Sequence, residues 1–280
     1  MQTLSVVIPA YNEEARLPEL LRSLSTTAEE AVAAAGLTLL EAIVVDDGSD
    51  DRTREMLRAA SQEDPRLRPV LDYTHNRGKG AAFAAGVKRA RGDWVLLADA
   101  DLSTPLEELH KLTAALAGGA DIAIGSRAVE GAIVERGPTH RKVLGATFNG
   151  TVRALTGLRL RDTQCGFKLF PTEAAKRLVD DQLCPGFAFD VELLMRADLD
   201  GMRIAEVPVL YLHDSRSRVR VVSASVRMLR DVSGLAYRLR WNGGRRSTGL
   251  AAAPADDPDR DARRQRHSEA DQERLPAHRK

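Results

Sequence analysis

The run Trp94-Val95-Leu96-Leu97-Ala98 ends in Asp99-Ala100-Asp101. An apolar run without alternation reads as a strand buried on both faces, the kind that sits in a parallel sheet covered by helices. Ligands of open α/β sheets bind at the carboxyl ends of the strands, so Asp99 and Asp101 stand where a ligand would sit. A hard divalent cation takes oxygen donors, and Mg²⁺ is usually held by one or two carboxylates while substrate phosphates complete its shell. The guest that this pattern points to is a metal-bound diphosphate. The competing reading is an acidic helix cap, because Ser103-Thr104-Pro105 follows and proline favours the first helical position.

The preceding sequence repeats the same unit. Ser5-Val6-Val7-Ile8-Pro9 is a short strand pattern, followed by the polar Tyr11-Asn12-Glu13-Glu14 and a helical pattern around Leu17, Leu20, Leu21 and Leu24. Ala42-Ile43-Val44-Val45 then runs into Asp46-Asp47-Gly48-Ser49 and a helix bearing Met56 and Leu57. In a third unit Leu67 to Leu71 leads to Asn76-Arg77-Gly78-Lys79-Gly80 and an alanine-rich helix. A glycine-rich loop at a helix start, with Lys79 beside it, suits a phosphate. It lacks the leading glycine and the Ser/Thr of a Walker A loop, and the first turn lacks a dinucleotide fingerprint. Repeated strand–helix alternation predicts an α/β fold.

These residues, in this order, resemble the GT-A glycosyltransferases of family 2. Two later segments narrow the resemblance: Arg161-Asp162-Thr163-Gln164-Cys165-Gly166-Phe167-Lys168-Leu169-Phe170 and Phe187-Ala188-Phe189-Asp190-Val191-Glu192 look like signatures of the dolichyl-phosphate β-glucosyltransferase family. The resemblance covers residues 3 to 219. It implies a mostly parallel twisted sheet flanked by helices, within a catalytic domain over 1–219. It also implies inverting transfer of a sugar, glucose from UDP-glucose, to a polyprenyl or dolichyl phosphate. The donor is then expected against Pro9, Tyr11 and Glu13, with Val45, Asp46 and Asp47 near base and ribose and Lys79 near phosphate. Asp99, Ala100 and Asp101 meet ribose, metal (Mg²⁺ or Mn²⁺) and diphosphate, Ser103 matches the position two places on, and Arg127 neutralises phosphate charge. Asp99 and Asp101 are the metal ligands. Arg141 and Arg218 are the candidates for the acceptor phosphate; at Arg216 the chain departs from the family's glycine. Asp190 is the candidate for orienting the acceptor, or for a base if the acceptor is a hydroxyl, with helix capping as its alternative.

Cys165 and Cys184 are too few for a disulfide framework and have no zinc-ligand spacing, so a reducing cytoplasm is the expected compartment. Cys165 reads as a small buried residue rather than a nucleophile. No signal peptide precedes the first strand, and no apolar stretch approaches the roughly 20 residues of a membrane-spanning helix. The formal net charge of +1 is uninformative, but its distribution is not: His213 to Arg246 holds nine arginines and two acids.

Within that span, residues 220–242 form a basic amphipathic helix pattern. Val222, Val226, Leu229, Val232 and Leu239 fall on one side, and Arg227, Arg230 and Arg238 on the other. Three uses are open: a peripheral contact at the inner face of the membrane, packing on the catalytic domain, or contact with a second copy in a homo-oligomer. Residues 243–280 carry almost no large apolar side chain and read as a disordered tail. Residues 128–139, with Gly131 and Gly137, read as a lid over the donor or as a surface loop.

Rival functions remain at this level. One is a GDP-mannose-dependent polyprenyl-phosphate mannosyltransferase, another a transferase with a soluble hydroxyl acceptor, a third a nucleotide-sugar-binding regulator without turnover. The intact Asp99-Ala100-Asp101 speaks against the last. A processive polysaccharide synthase lacks its channel helices and Gln-x-x-Arg-Trp motif here, and no nucleic-acid module is recognisable.

Overall fold

The computed structural model describes residues 1–135, 149–212 and 221–241, apart from the side chains of 221–226 and 241. All of these belong to one compact unit, Met1–Gly243. The expected tail, Arg136 to Thr139 of the expected lid, Arg141 and Arg218 lie outside the described residues.

Among the described residues, eight strands and their helices follow in chain order: β1 (Thr3–Ala10), α1 (Leu17–Thr26), α2 (Ala28–Ala34), β2 (Thr38–Asp46), α3 (Thr53–Glu63), α4 (Lys79–Arg89), β3 (Trp94–Leu97), α5 (Leu109–Ala117), β4 (Ile122–Ser126) and β5 (Ile133–Val134). Helical residues 149–156, called α6, then lead to β6 (Lys168–Pro171), α7 (Thr172–Asp180), α8 (Phe189–Leu199), β7 (Ile204–Pro208), β8 (Leu210–Tyr211) and α9 (Val221–Ala236). The main sheet has the order β2-β1-β3-β6-β4-β7. Its strands are parallel except β6, which runs antiparallel to both β3 and β4. A parallel pair β5-β8 stands apart.

Side chains of period two divide the core between the sheet's faces. Leu4, Val6 and Ile8 of β1, with Leu96 of β3, pack in a cluster with Leu17 and Leu20 of α1, Val32 of α2 and Leu109 and Leu112 of α5. Val7, Val95 and Leu97 point the other way, into a cluster with Phe83 and Val87 of α4, Phe170, Phe189 and Leu194. Phe83 anchors this layer, with ring centroids 5.5 Å from Phe189 and 6.4 Å from Phe170, separations at which tilted aromatic pairs attract. The α/β expectation is met.

α9 closes over the second face. Val232 and Leu235 are buried in the Phe83 cluster, with Met228, Leu229, Ala236 and Leu239 packed against it. Of the three uses left open for this helix, its described apolar side chains serve packing on the domain, and its last turn widens to a π-helical turn over Tyr237–Trp241. Among the described residues no helix is long and apolar enough to cross a membrane.

Two local expectations are corrected. Leu67 to Leu71 is not a full strand: it makes isolated bridges, Ala42 to Leu67 and Val45 to Val70, with Arg68 N and Val70 N donating to the Ala42 and Val44 carbonyls. Pro105 does not open an α-helix: it precedes a 3₁₀ turn, Leu106–Glu108, and α5 begins only at Leu109.

Candidate functional site

β1, β2 and β3 run parallel, so their carboxyl ends bring Tyr11, Asp47 and Asp99 to one edge of the sheet. A cavity of about 1100 Å³ opens there, lined from these ends by Pro9, Tyr11, Glu13, Asp47, Asp99, Ala100 and Asp101, and from α4 by Lys79. Eight of the residues singled out in the sequence therefore meet around one space.

Each acid of Asp99-Ala100-Asp101 faces a protein cation. Lys79 Nζ lies 2.6 Å from Asp99 Oδ1. Arg16 lies 3.5 Å from Asp101 Oδ2 and holds Glu13 through a forked pair at 2.5 and 2.6 Å. Burial alone would raise the Asp99 carboxyl, but Lys79 outweighs it and, with Lys168 and Arg127 further off, holds it below the ordinary carboxylate value. Lys79 is correspondingly raised, its burial overcome by Asp99 and Asp190. Glu13 goes the other way: burial raises it, against the opposing pull of Arg16.

The glycine-rich loop is braced rather than open. Its Arg77 and Gly78 N–H groups both donate to the Asp47 carboxylate at 2.8 Å. Gly78 has φ +107, and a Cβ there would overlap the Pro185 carbonyl oxygen, so only glycine fits the loop. The neighbouring acid, Asp46, is fully buried, accepting from Ser49 N and Arg54 Nε at 3.0 and 2.9 Å. Of the two adjacent aspartates, Asp47 alone reaches the cavity.

Other expected site residues stand behind the wall. Val45 is fully buried in the core, and Ser103 is buried with its backbone oxygen accepting from Leu212 N. Arg127 is turned away from the cavity: it forks onto Asp162 at 2.7 and 2.9 Å and lies over the Tyr211 ring at 5.1 Å. It supports Tyr211, which does line the cavity. Asp190 is buried and pairs with the fully buried Lys168, whose ammonium also donates to the Cys165 carbonyl at 2.6 Å. A carboxylate so held is not exposed to a substrate in the cavity. Cys165 is buried beside it, its thiol pushed up to about 11 by burial, which suits a structural residue.

The segment before β6 passes directly beneath Asp99. A Cβ on Gly166 would overlap the Asp99 carboxylate, so this glycine is required by close approach. Three further parts of the cavity wall were not assigned to it from the sequence. They are Arg16, the segment Leu183–Phe187, and one face of α9 carrying Arg227, Arg230 and Arg238. For α9 the signal was present as a basic helix face, but its direction toward the cavity depends on tertiary packing.

The two carboxylates fit a hard cation in part. Among the described residues no group of three His, Cys, Asp or Glu side chains converges to hold a metal. Asp99 and Asp101 thus supply at most two carboxylate ligands, the number expected where a diphosphate supplies the rest.

An α/β sheet covered by helices, with paired acids at its strand ends, is the arrangement that the resemblance to the GT-A nucleotide-sugar transferases implies. The chain belongs to glycosyltransferase family 2: the family described as "Glycosyl transferase family 2" matches residues 5–179. It is a glycosyltransferase related to the dolichyl-phosphate β-glucosyltransferases. It is 36% identical over 247 residues to the dolichyl-phosphate beta-glucosyltransferase of Homo sapiens, covering 85% of this chain and 75% of that one. It is 35% identical over 240 residues to a protein of the same description from Trichomonas vaginalis, covering 84% and 71%. Glycosyltransferase AglD of Haloferax volcanii is also 35% identical, over 84% of this chain but 36% of its own length. Among solved structures, glucosyl-3-phosphoglycerate synthase from Mycobacterium tuberculosis, in complex with Mn²⁺, UDP and glucosyl-3-phosphoglycerate, superposes with a TM-score of 0.60 at 20% identity. The match covers 84% of this chain and 80% of that one, and it establishes the shared fold.

Proposed function

We propose that the protein transfers glucose from UDP-glucose, with inversion, to a polyprenyl or dolichyl phosphate. The observation that carries this reading is the convergence of Asp99, Asp101, Asp47, Glu13 and Lys79 on one cavity at the carboxyl ends of three parallel strands. The identity to dolichyl-phosphate β-glucosyltransferases over more than four-fifths of the chain supports the choice of donor and acceptor.

Asp99 and Asp101 would hold Mg²⁺ or Mn²⁺, which supplies charge stabilisation for the departing diphosphate. Lys79 adds a fixed cation on the same side, partly buried and held 2.6 Å from Asp99. Tyr11 and Asp47 bound the nucleotide end. Rate enhancement then rests on positioning two anionic partners against each other. A phosphate monoester acceptor is already an anion at neutral pH and needs no general base, which agrees with Asp190 being neutralised by Lys168 rather than facing the cavity.

The test is transfer of labelled glucose from UDP-glucose to a polyprenyl phosphate in detergent with Mg²⁺ or Mn²⁺, beside GDP-mannose and a chelator control. A chelator-sensitive glycolipid formed from UDP-glucose alone supports the proposal. Labelling from GDP-mannose instead, or transfer to a soluble hydroxyl only, overturns it.

A further inference from the structure

The cavity has two oppositely charged sides. The strand ends supply Glu13, Asp47, Asp99 and Asp101, with Lys79 and Arg16 set against them. α9 and its terminal turn supply Arg227, Arg230 and Arg238, spaced with Gly234 at intervals of three, four and four residues, which places them along one face of the helix. All three arginines are exposed. Among the described residues the single ion pair on this face is Arg230 with its neighbour Asp231 at 3.6 Å. Nothing lies within 4 Å of a Cβ built on Gly234, so the space between the arginines is open to a ligand.

These cations are not spent on the acids across the cavity, whose counter-charges are already in place. They describe a seat for a second anion. What adjoins them is apolar: Leu183, Pro185 and Phe187 line the same cavity, with Leu183 46% and Phe187 45% exposed. This apolar rim is held rigidly, because Leu183 N and Cys184 N each donate to the Glu192 carboxylate at 2.7 Å, and Arg196 clamps the same carboxylate. Three guanidinium groups beside a fixed apolar rim match an anion joined to a hydrocarbon chain. Arginine's fork is suited to phosphate oxygens.

We propose that Arg227, Arg230 and Arg238 bind the phosphate of the acceptor, a phosphate monoester of an isoprenoid alcohol, and that Leu183 and Phe187 receive the first isoprene unit. The inference rests on the lipid-phosphate reading above and assigns its second subsite to α9. Glu192 is then a positioning residue that fixes the rim.

The probe is farnesyl phosphate, titrated by calorimetry into the full chain in the presence of UDP and Mn²⁺, without detergent or vesicles, beside farnesol and inorganic phosphate. Farnesyl phosphate binds more tightly than either part alone. The combined variant R227Q/R230Q/R238Q loses at least tenfold in farnesyl phosphate affinity while its UDP-glucose affinity stays within twofold and its thermal midpoint is unchanged. F187S weakens farnesyl phosphate without weakening inorganic phosphate. Unaltered farnesyl phosphate binding in the arginine variant overturns the proposal, as does a parallel loss of UDP-glucose affinity, which would give the arginines to the donor. Flotation with phosphatidylglycerol vesicles separates the lipid sources: loss of vesicle binding with farnesyl phosphate binding intact assigns the arginines to bilayer headgroups and also overturns it. If farnesyl phosphate binds through α9 but no sugar reaches any polyprenyl phosphate, the subsite stands and the proposed reaction falls.

Discussion

Lys79 Nζ and Asp99 Oδ1 are 2.6 Å apart, joining the first turn of α4 to the end of β3. Asp101, two residues on, has a looser partner in Arg16 at 3.5 Å. This difference separates structural from functional effects. Asp101→Ala abolishes transfer and moves the thermal midpoint by less than about 2 °C, in line with its loose pairing. Lys79→Met also abolishes transfer, and the freed Asp99 binds Mn²⁺ more tightly in the absence of nucleotide. Electron paramagnetic resonance of free Mn²⁺ reads this affinity without reference to turnover; unchanged Mn²⁺ affinity in Lys79→Met contradicts Lys79 as the resident counter-ion.

Gly166 packs against Asp99 with no room for a methyl group. Gly166→Ala pushes the Asp99 carboxylate out of place, and transfer falls by about 10²-fold or more, the scale expected when a catalytic group is displaced by an ångström. Circular dichroism stays native because the sheet register is untouched. Wild-type turnover in this variant would show that Asp99 has freedom to move.

Asp190 is paired with Lys168 in the protein interior. Asp190→Asn leaves the fully buried Lys168 ammonium without its carboxylate, at a cost of about 3–5 kcal/mol in stability. Denaturant unfolding measures the loss. An Asp190→Asn protein of native stability with a flattened pH–rate profile would instead restore Asp190 as the base.

Asp162 carries a pH signature. Burial alone raises its carboxyl, but the fork from Arg127 outweighs this and holds it below the ordinary value in the folded protein. An unfolded aspartate titrates near about 3.9. The pair therefore stabilises the fold fully above that pH and is lost as pH falls through the lower, folded value. Wild type and Asp162→Asn differ in unfolding free energy at pH 7, and the gap narrows as unfolding is measured at pH 5, 4 and 3. A gap independent of pH would deny the pair this role.

The strand-end side of the cavity was legible in the sequence because strand ends are marked locally by apolar runs stopping at acids. Tyr11, Asp47, Asp99 and Asp101 were found by that rule. The same rule could not separate Asp46 from Asp47, since side chains of successive residues point to opposite sides and which side faces the cavity depends on Arg54, eight residues on. That Arg127 and Asp190 would be paired away from the cavity lining was not legible, for a related reason. Their partners, Asp162 and Lys168, are 35 and 22 residues distant, and an unpaired charge in sequence says nothing of a partner supplied by folding. The α9 pattern was plain, yet the side that its arginines face follows from Val232 and Leu235 docking on the Phe83 cluster.

The single reversed strand, β6, changes how the enzyme is open to modification. β1, β2 and β3 offer the cavity the residues that follow them, whereas β6 brings one that precedes it, Gly166, against Asp99, with Lys168 opposite Leu97 and Ile124. One wall of the cavity is tied to the strand exits, while the wall made by Leu183–Phe187 is carried by the connection between α7 and α8. A combinatorial library confined to Leu183 and Phe187 varies that wall of the cavity while the residues at the strand ends stay unchanged.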